Sequence, residues 1–236
     1  MGTYYSKFNG TINGNNHTIS NVTLNGYSYT GLFGYNTGTI TGINFDTIAI
    51  TSEAARAGLI GTNTGMVNGV KIRNLTITGT STIGGITGYL DNGGNIKNVD
   101  VQGTIIGTGT TVGGIIGYAN GSSALTDAVF KGTLSGTKYI AGLAGEKFNG
   151  TISGFVYDTS ITATTSDAAY FTTRNSPNNC KGYNITTSPS ASGTLISSKT
   201  LEAVDGTIDT TIGGDSGNDG YYFTLTNGEY ELITAE

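Results

Sequence analysis

The sequence has no Trp, a single Cys, a single His and only 2 Pro in 236 residues, and charged residues make up just 11% of it. These scarcities exclude several classes. Cys180 has no partner for an internal disulfide, and His17 alone gives no Cys/His cluster for zinc, so any metal site must be built from oxygen. With 11 basic against 16 acidic residues the formal net charge is -5, and the basic side chains are scattered rather than striped. That leaves out the electrostatic footprint a nucleic acid partner requires. No apolar run approaches the roughly 18 residues that span a bilayer, so no membrane insertion is expected. Met1-Gly2 leads directly into Thr3-Tyr4-Tyr5, with neither a basic nor an apolar stretch of a secretion signal, and the chain reads as a segment of a longer protein.

What is abundant is glycine, 39 residues, beside 36% hydrophobic residues rich in Ile, Val and Leu. Enough apolar surface is present for a core, so the glycines are expected to be periodic rather than a sign of disorder. They are. Gly31-Leu32-Phe33-Gly34 returns as Gly58-Leu59-Ile60-Gly61, Gly85-Ile86-Thr87-Gly88, Gly114-Ile115-Ile116-Gly117 and Gly142-Leu143-Ala144-Gly145, at steps of 27, 27, 29 and 28 residues. Apolar triplets spaced 3 then 2 travel with the tetrads: Ile40, Ile43, Phe45; Val67, Val70, Ile72; Ile96, Val99, Val101; Leu125, Ala128, Phe130; and Ile152, Phe155, Tyr157. An early triplet, Ile19, Val22, Leu24, reads as one more, and Ala168-Ala169-Tyr170-Phe171 stands where a sixth tetrad is due.

A spacing of 2 is strand periodicity, and the skipped residue marks a corner after which the next side chain points inward again. About three short strands and three corners per period predict one coil of a right-handed parallel β-helix (a β-solenoid). About six coils are expected over 1–171. Leu32, Leu59, Ile86, Ile115 and Leu143 are predicted to form one inward ladder, worth about 1.5–3 kcal/mol of burial per side chain. Asn36, Asn63, Asn92, Asn120 and Asn149 read as stacked turn residues.

At the level of residues this pattern resembles the GLUG-motif repeats of bacterial surface and secreted proteins. The opening Phe8-Asn9-Gly10-Thr11-Ile12-Asn13-Gly14-Asn15-Asn16-His17-Thr18-Ile19 is similar to that family's first segment, and the tetrads are similar to its namesake. The resemblance implies an exported, surface-associated, adhesin-like module and no catalytic residues. The family also occurs beside the protease domain of immunoglobulin-A-cleaving metallopeptidases, but the His-Glu-x-x-His zinc signature of such a domain is absent here.

From residue 172 the repeat is lost. Tyr221 to Leu225, then Asn227-Gly228, then Tyr230 to Ile233 reads as a β-hairpin pairing Leu225 with Tyr230 and Phe223 with Leu232. Residues 172–236 are expected to be a loop and a C-terminal cap, with 194–236 covering the open end of the stack.

Chemistry is sparse. His17 lacks an orienting partner and reads as a turn residue. Asp100 and Asp127 fall one coil apart, displaced by two residues, roughly 8 Å by coil geometry and within the inverting-glycosidase range. Alignment also sets Lys71 beside Asp100, which favours a surface ion pair over catalysis. Tyr35, Tyr89 and Tyr118 fall in one row, with Thr62 and Glu146 in the other coils, and are expected outside; they would stack on a sugar or, in the preferred account, on one another. Half the chain's acids lie after residue 200, where Asp215 and Asp219, with Asp205 and Asp209, are candidates for a structural Ca2+ but read better as a solvated acidic loop.

The sequence therefore predicts a non-catalytic segment of a bacterial cell-surface or secreted protein, adhesive itself or a stalk, with a host or cell-surface glycan or protein as partner. The alternative is a polysaccharide-degrading lyase or glycoside hydrolase.

Overall fold

The computed structural model describes residues 1–53, 55–164, 168–169, 171–173, 180–183, 190–191, 221–226 and 229–234. The chain is all-β, and among the described residues there is no helix. Parallel strands stack into a β-solenoid of about five turns, built as one large sheet and two 5-stranded sheets. A representative turn runs through the short strands Thr82–Gly84 and Thr87–Leu90 into the long strand Asn95–Gly107. The long strands Thr39–Ser52, Met66–Gly79, Asn95–Gly107, Ala124–Gly136 and Gly154–Ala163 lie side by side in the large sheet.

The spacing of 3 then 2 is produced by single left-handed residues within these long strands. Gly42, Gly69, Asn98 and Asp127 align across four coils with φ of 56°, 66°, 51° and 52°. Each turns the chain so that the residue after it faces the core, as Ile43, Val70, Val99 and Ala128 do. Asn and Asp tolerate this region because their short side chains bond locally. A second corner at Asn21, Thr47 and Asn74 repeats the device at φ of 58°, 57° and 52°. The triplet is therefore doubled, continuing through Ile48 and Ile50 in one coil and Leu75 and Ile77 in the next.

Two details of register differ from the sequence expectation. Ile19, Val22 and Leu24 do lie one layer before Thr39–Ser52, but they pair with Phe45, Ile48 and Ile50, the second half of the doubled triplet, rather than with Ile40, Ile43 and Phe45. In the fifth coil Val156, not Tyr157, aligns with Phe130, while Phe155 aligns with Val129, because that turn is one residue shorter. Parallel pairing also continues after the recognisable repeat, with Cys180–Tyr183 on Gly154–Tyr157 and Ser190–Ala191 on Thr162–Ala163.

The predicted ladder is present. Leu59, Ile86, Ile115 and Leu143 are buried, and backbone bonds link Ile86 N to Ile115 O and Ile115 N to Leu143 O. Leu32, at the end of the row, is only partly covered. Leu143 N bonds Phe171 O, so buried Phe171 takes the ladder position in the decayed tetrad. Both tetrad glycines are required by backbone approach. A Cβ on Gly85 would lie 2.3 Å from Gly114 O of the next coil, and one on Gly117 would lie 2.5 Å from Gly88 O and 2.8 Å from Ile83 N.

The asparagine row is shorter than expected. Asn36 Nδ2 donates to Asn63 Oδ1 at 2.7 Å, and both residues are buried. The next positions in register are Leu90 and Ala119. Two residues separate Asn63 from Met66, but four separate Leu90 from Asn95, so Asn92 is carried into a longer loop.

The C-terminal hairpin has the predicted register, Leu225 opposite Tyr230 and Phe223 opposite Leu232. Its position differs from the expected end cap. Leu232 N donates to Asp100 Oδ2 at 3.4 Å and Lys71 Nζ reaches Glu231 Oε1 at 3.3 Å, so the Glu229–Thr234 strand lies against the flank of the second and third long strands. That flank carries an outward row, Asn44, Lys71, Asp100 and Val129, in which Asp100 and Val129 are fully buried. Covering apolar and desolvated groups on the side wall is the local reason for docking there.

Candidate functional site

The Asp100 and Asp127 register is as read from the sequence, with Asp127 aligned to the left-handed Asn98 two residues before Asp100. The environment is not. Asp100 has no exposed surface, so the expected surface ion pair with Lys71 is corrected to a buried one with Arg73, whose Nη2 lies 2.6 Å from Oδ2. Lys71, directly opposite Asp100 in register, turns to Glu231 instead. Burial pushes the Asp100 carboxyl above its ordinary value, with the charge and hydrogen bond of Arg73, the amide of Leu232 and the charge of Lys71 pulling the other way. Oδ1 is buried and, among the described residues, has no hydrogen-bond partner. A polysaccharide on the outer wall cannot reach this carboxyl with the hairpin in place. Arg73 is the diagonal neighbour of Asp100 across the strand pair, not its directly opposed one, and is within reach because its side chain is long, so opposed positions in the repeat do not reveal it.

The tyrosine row is also in the predicted register: Tyr35, Thr62, Tyr89, Tyr118 and Glu146 align coil by coil. Its exposure differs. Tyr35 is only 9% exposed, Thr62 is buried, and Tyr89 and Tyr118 are half-buried. Alternation from the ladder fails as a guide because Phe33, Ile60 and Ile116 share the tyrosines' parity and are themselves buried. Both sides of this short strand are covered. Tyr89 and Tyr118 stack with centroids 5.0 Å apart and planes at 19°, the intramolecular use preferred from the sequence. Arg56 closes over Tyr89, its guanidinium 3.9 Å from the ring centroid and its Nη1 donating to Thr62 Oγ1 at 2.7 Å. Burial, then the charge of Asp91, raises the Tyr89 phenol, and Arg56 opposes the shift.

The row opens at the first coil into an aromatic cluster that sequence reasoning did not assemble. Tyr4 packs against Tyr5 edge-on at 5.2 Å, against Tyr29 at 5.5 Å and against Tyr35 at 6.2 Å. Lys7 Nζ stands 4.3 Å over the Tyr35 ring, and Arg56 lies 5.3 Å from Tyr29. A cleft of about 490 Å3 runs between Thr3, Tyr4, Tyr5, Ser28 and Tyr29. Tyr5 is 95% exposed and Tyr4 50%. The sequence signal was the density of tyrosines at 4, 5, 27, 29 and 35, hidden because only Tyr35 belongs to the repeat.

His17 is exposed in its turn, its N bonding Gly14 O and its O accepting from Asn44 N. Asp205, Asp209, Asp215 and Asp219 lie outside the described residues. Among the described residues no group of three or more His, Cys, Asp or Glu is placed to hold a metal ion, and no helix is long and apolar enough to cross a membrane. Comparison with known proteins returned no matching family model, no matching curated protein and no matching solved structure.

Proposed function

We propose that this β-solenoid is a non-catalytic, adhesin-like module of a bacterial cell-surface or secreted protein, contacting a host or cell-surface glycan. The observation that carries the reading is the open tyrosine cluster at the first coil, where Tyr4 and Tyr5 expose ring surface beside a cleft instead of packing it away. Tyrosine presents a broad apolar face with a polar tip, which suits the alternating C–H and hydroxyl faces of a pyranose. The state of Asp100 fits the same reading, because an acid sealed between Arg73 and the amide of Leu232 has no room for a glycosidic oxygen or a water. The GLUG-like tetrads support an exported location by resemblance.

A glycan array probed with the purified chain tests the reading. Binding of a defined glycan class is the expected result, and retention of no glycan would reduce the module to a stalk.

A further inference from the structure

We propose that the cleft between Tyr4, Tyr5 and Tyr29 is a subsite for an acidic sugar, a pyranose bearing a carboxylate or sulfate group. The inference deepens the adhesin-like reading and rests on it, since it names the ligand class and its place on the module.

Three observations converge on this end of the solenoid. The cleft volume of about 490 Å3 falls within the roughly 300–1,000 Å3 of small-ligand sites. Its walls are aromatic and set at an angle, with the Tyr4 and Tyr5 planes at 89°. A sugar stacked on one ring therefore meets the edge of the other, and Thr3 and Ser28 line the cleft beside them.

The charge distribution selects the sign of the ligand. The chain carries a net charge of -5, yet its first acidic residue is Asp46, so residues 1–45 contain no Asp or Glu at all. Within that acid-free stretch Lys7 stands over Tyr35, and Arg56 reaches in over Tyr29 from the next coil. Among the described residues neither cation forms an ion pair, in contrast to Lys71 and Arg73 on the flank. Each cation is one ring away from the cleft, which places positive potential beside a sugar stacked on Tyr4. Attraction between exposed cations and an anionic sugar is screened by salt, so binding through this site weakens as ionic strength rises.

Calorimetric titration of the full chain with trigalacturonate, a sulfated trisaccharide and neutral maltotriose tests the proposal. One or both anionic probes should bind and maltotriose should not; which of the two binds distinguishes carboxylate from sulfate. Tyr5→Ala, whose ring is almost wholly exposed and contributes little to folding, should weaken binding about tenfold. Lys7→Gln should weaken it and flatten its salt dependence, while Phe148→Ala, exposed elsewhere on the solenoid, should leave it unchanged. Anionic binding that persists in Tyr5→Ala and Lys7→Gln overturns the subsite and leaves the adhesin-like reading standing. Equal binding of maltotriose overturns the charge selection, and no binding of any probe overturns the subsite. If the glycan array also shows nothing, the glycan-contacting reading falls with it.

Discussion

Arg73 Nη2 stands 2.6 Å from Oδ2 of Asp100, a carboxylate with no exposed surface, in the middle of the solenoid's flank. The guanidinium is partly exposed while its partner is sealed, so the pair is one-sided: removing the cation strands a charge that water cannot reach. Arg73→Ala should therefore cost about 3–5 kcal/mol at neutral pH. Urea unfolding checks this, and the double variant Arg73→Met with Asp100→Leu should recover most of the loss.

The same site sets a pH dependence. Burial raises the Asp100 carboxyl above 3.8 despite Arg73, so the native state holds this proton more tightly than the unfolded chain. The associated stability is complete below about pH 3.8 and is lost as pH rises through the raised native value. Asp100→Asn, which cannot ionise, should compare least well with the parent at low pH and gain on it as pH rises. Melting temperatures of both proteins across pH 3–8 give the answer. A gap that moves in the opposite direction contradicts the assignment.

Docking of the hairpin rests on contacts with Asp100 and Lys71, and Leu232 is buried in that interface. Leu232→Asp would set a second carboxylate against Asp100 and release the strand. Hydrogen exchange should then show lost protection over Tyr221–Thr226 and Glu229–Thr234, with Met66–Gly79 retaining its own. Unchanged protection of the hairpin would show that it is held by something else.

The tetrad glycines are sites of backbone contact, and substitution there should separate the sheets. Gly117→Ala, whose Cβ would meet Gly88 O at 2.5 Å, should destabilise by about 1–3 kcal/mol. Gly10→Ala meets nothing closer than the Phe8 ring at 3.4 Å and should be close to neutral, as thermal melting of the two variants would register.

The repeat made the coil legible because stacking copies each side-chain position into a row. Leu59, Ile86, Ile115 and Leu143 could be placed in the core, and Tyr35, Tyr89 and Tyr118 in register, from spacing alone. Where a row has no second copy the sequence is silent. Asp100, read as a surface residue, is buried by a hairpin more than a hundred residues away in the chain, as the contact from Leu232 shows. Asn92 left its row because a turn lengthened by two residues changes the stacking partner while leaving the apolar pattern intact. The tyrosine cluster escaped because Tyr4 and Tyr5 precede the first tetrad, where periodicity offers no guide to position.

A solenoid that holds glycans without cleaving them, as proposed, leaves those glycans chemically intact, which product analysis reads out. Incubating the full chain with polygalacturonate, alginate and a sulfated host glycan should release no new reducing ends and no unsaturated sugars. Release of either, abolished by Asp100→Asn or Asp127→Asn, would overturn the non-catalytic reading and make the flank an active site.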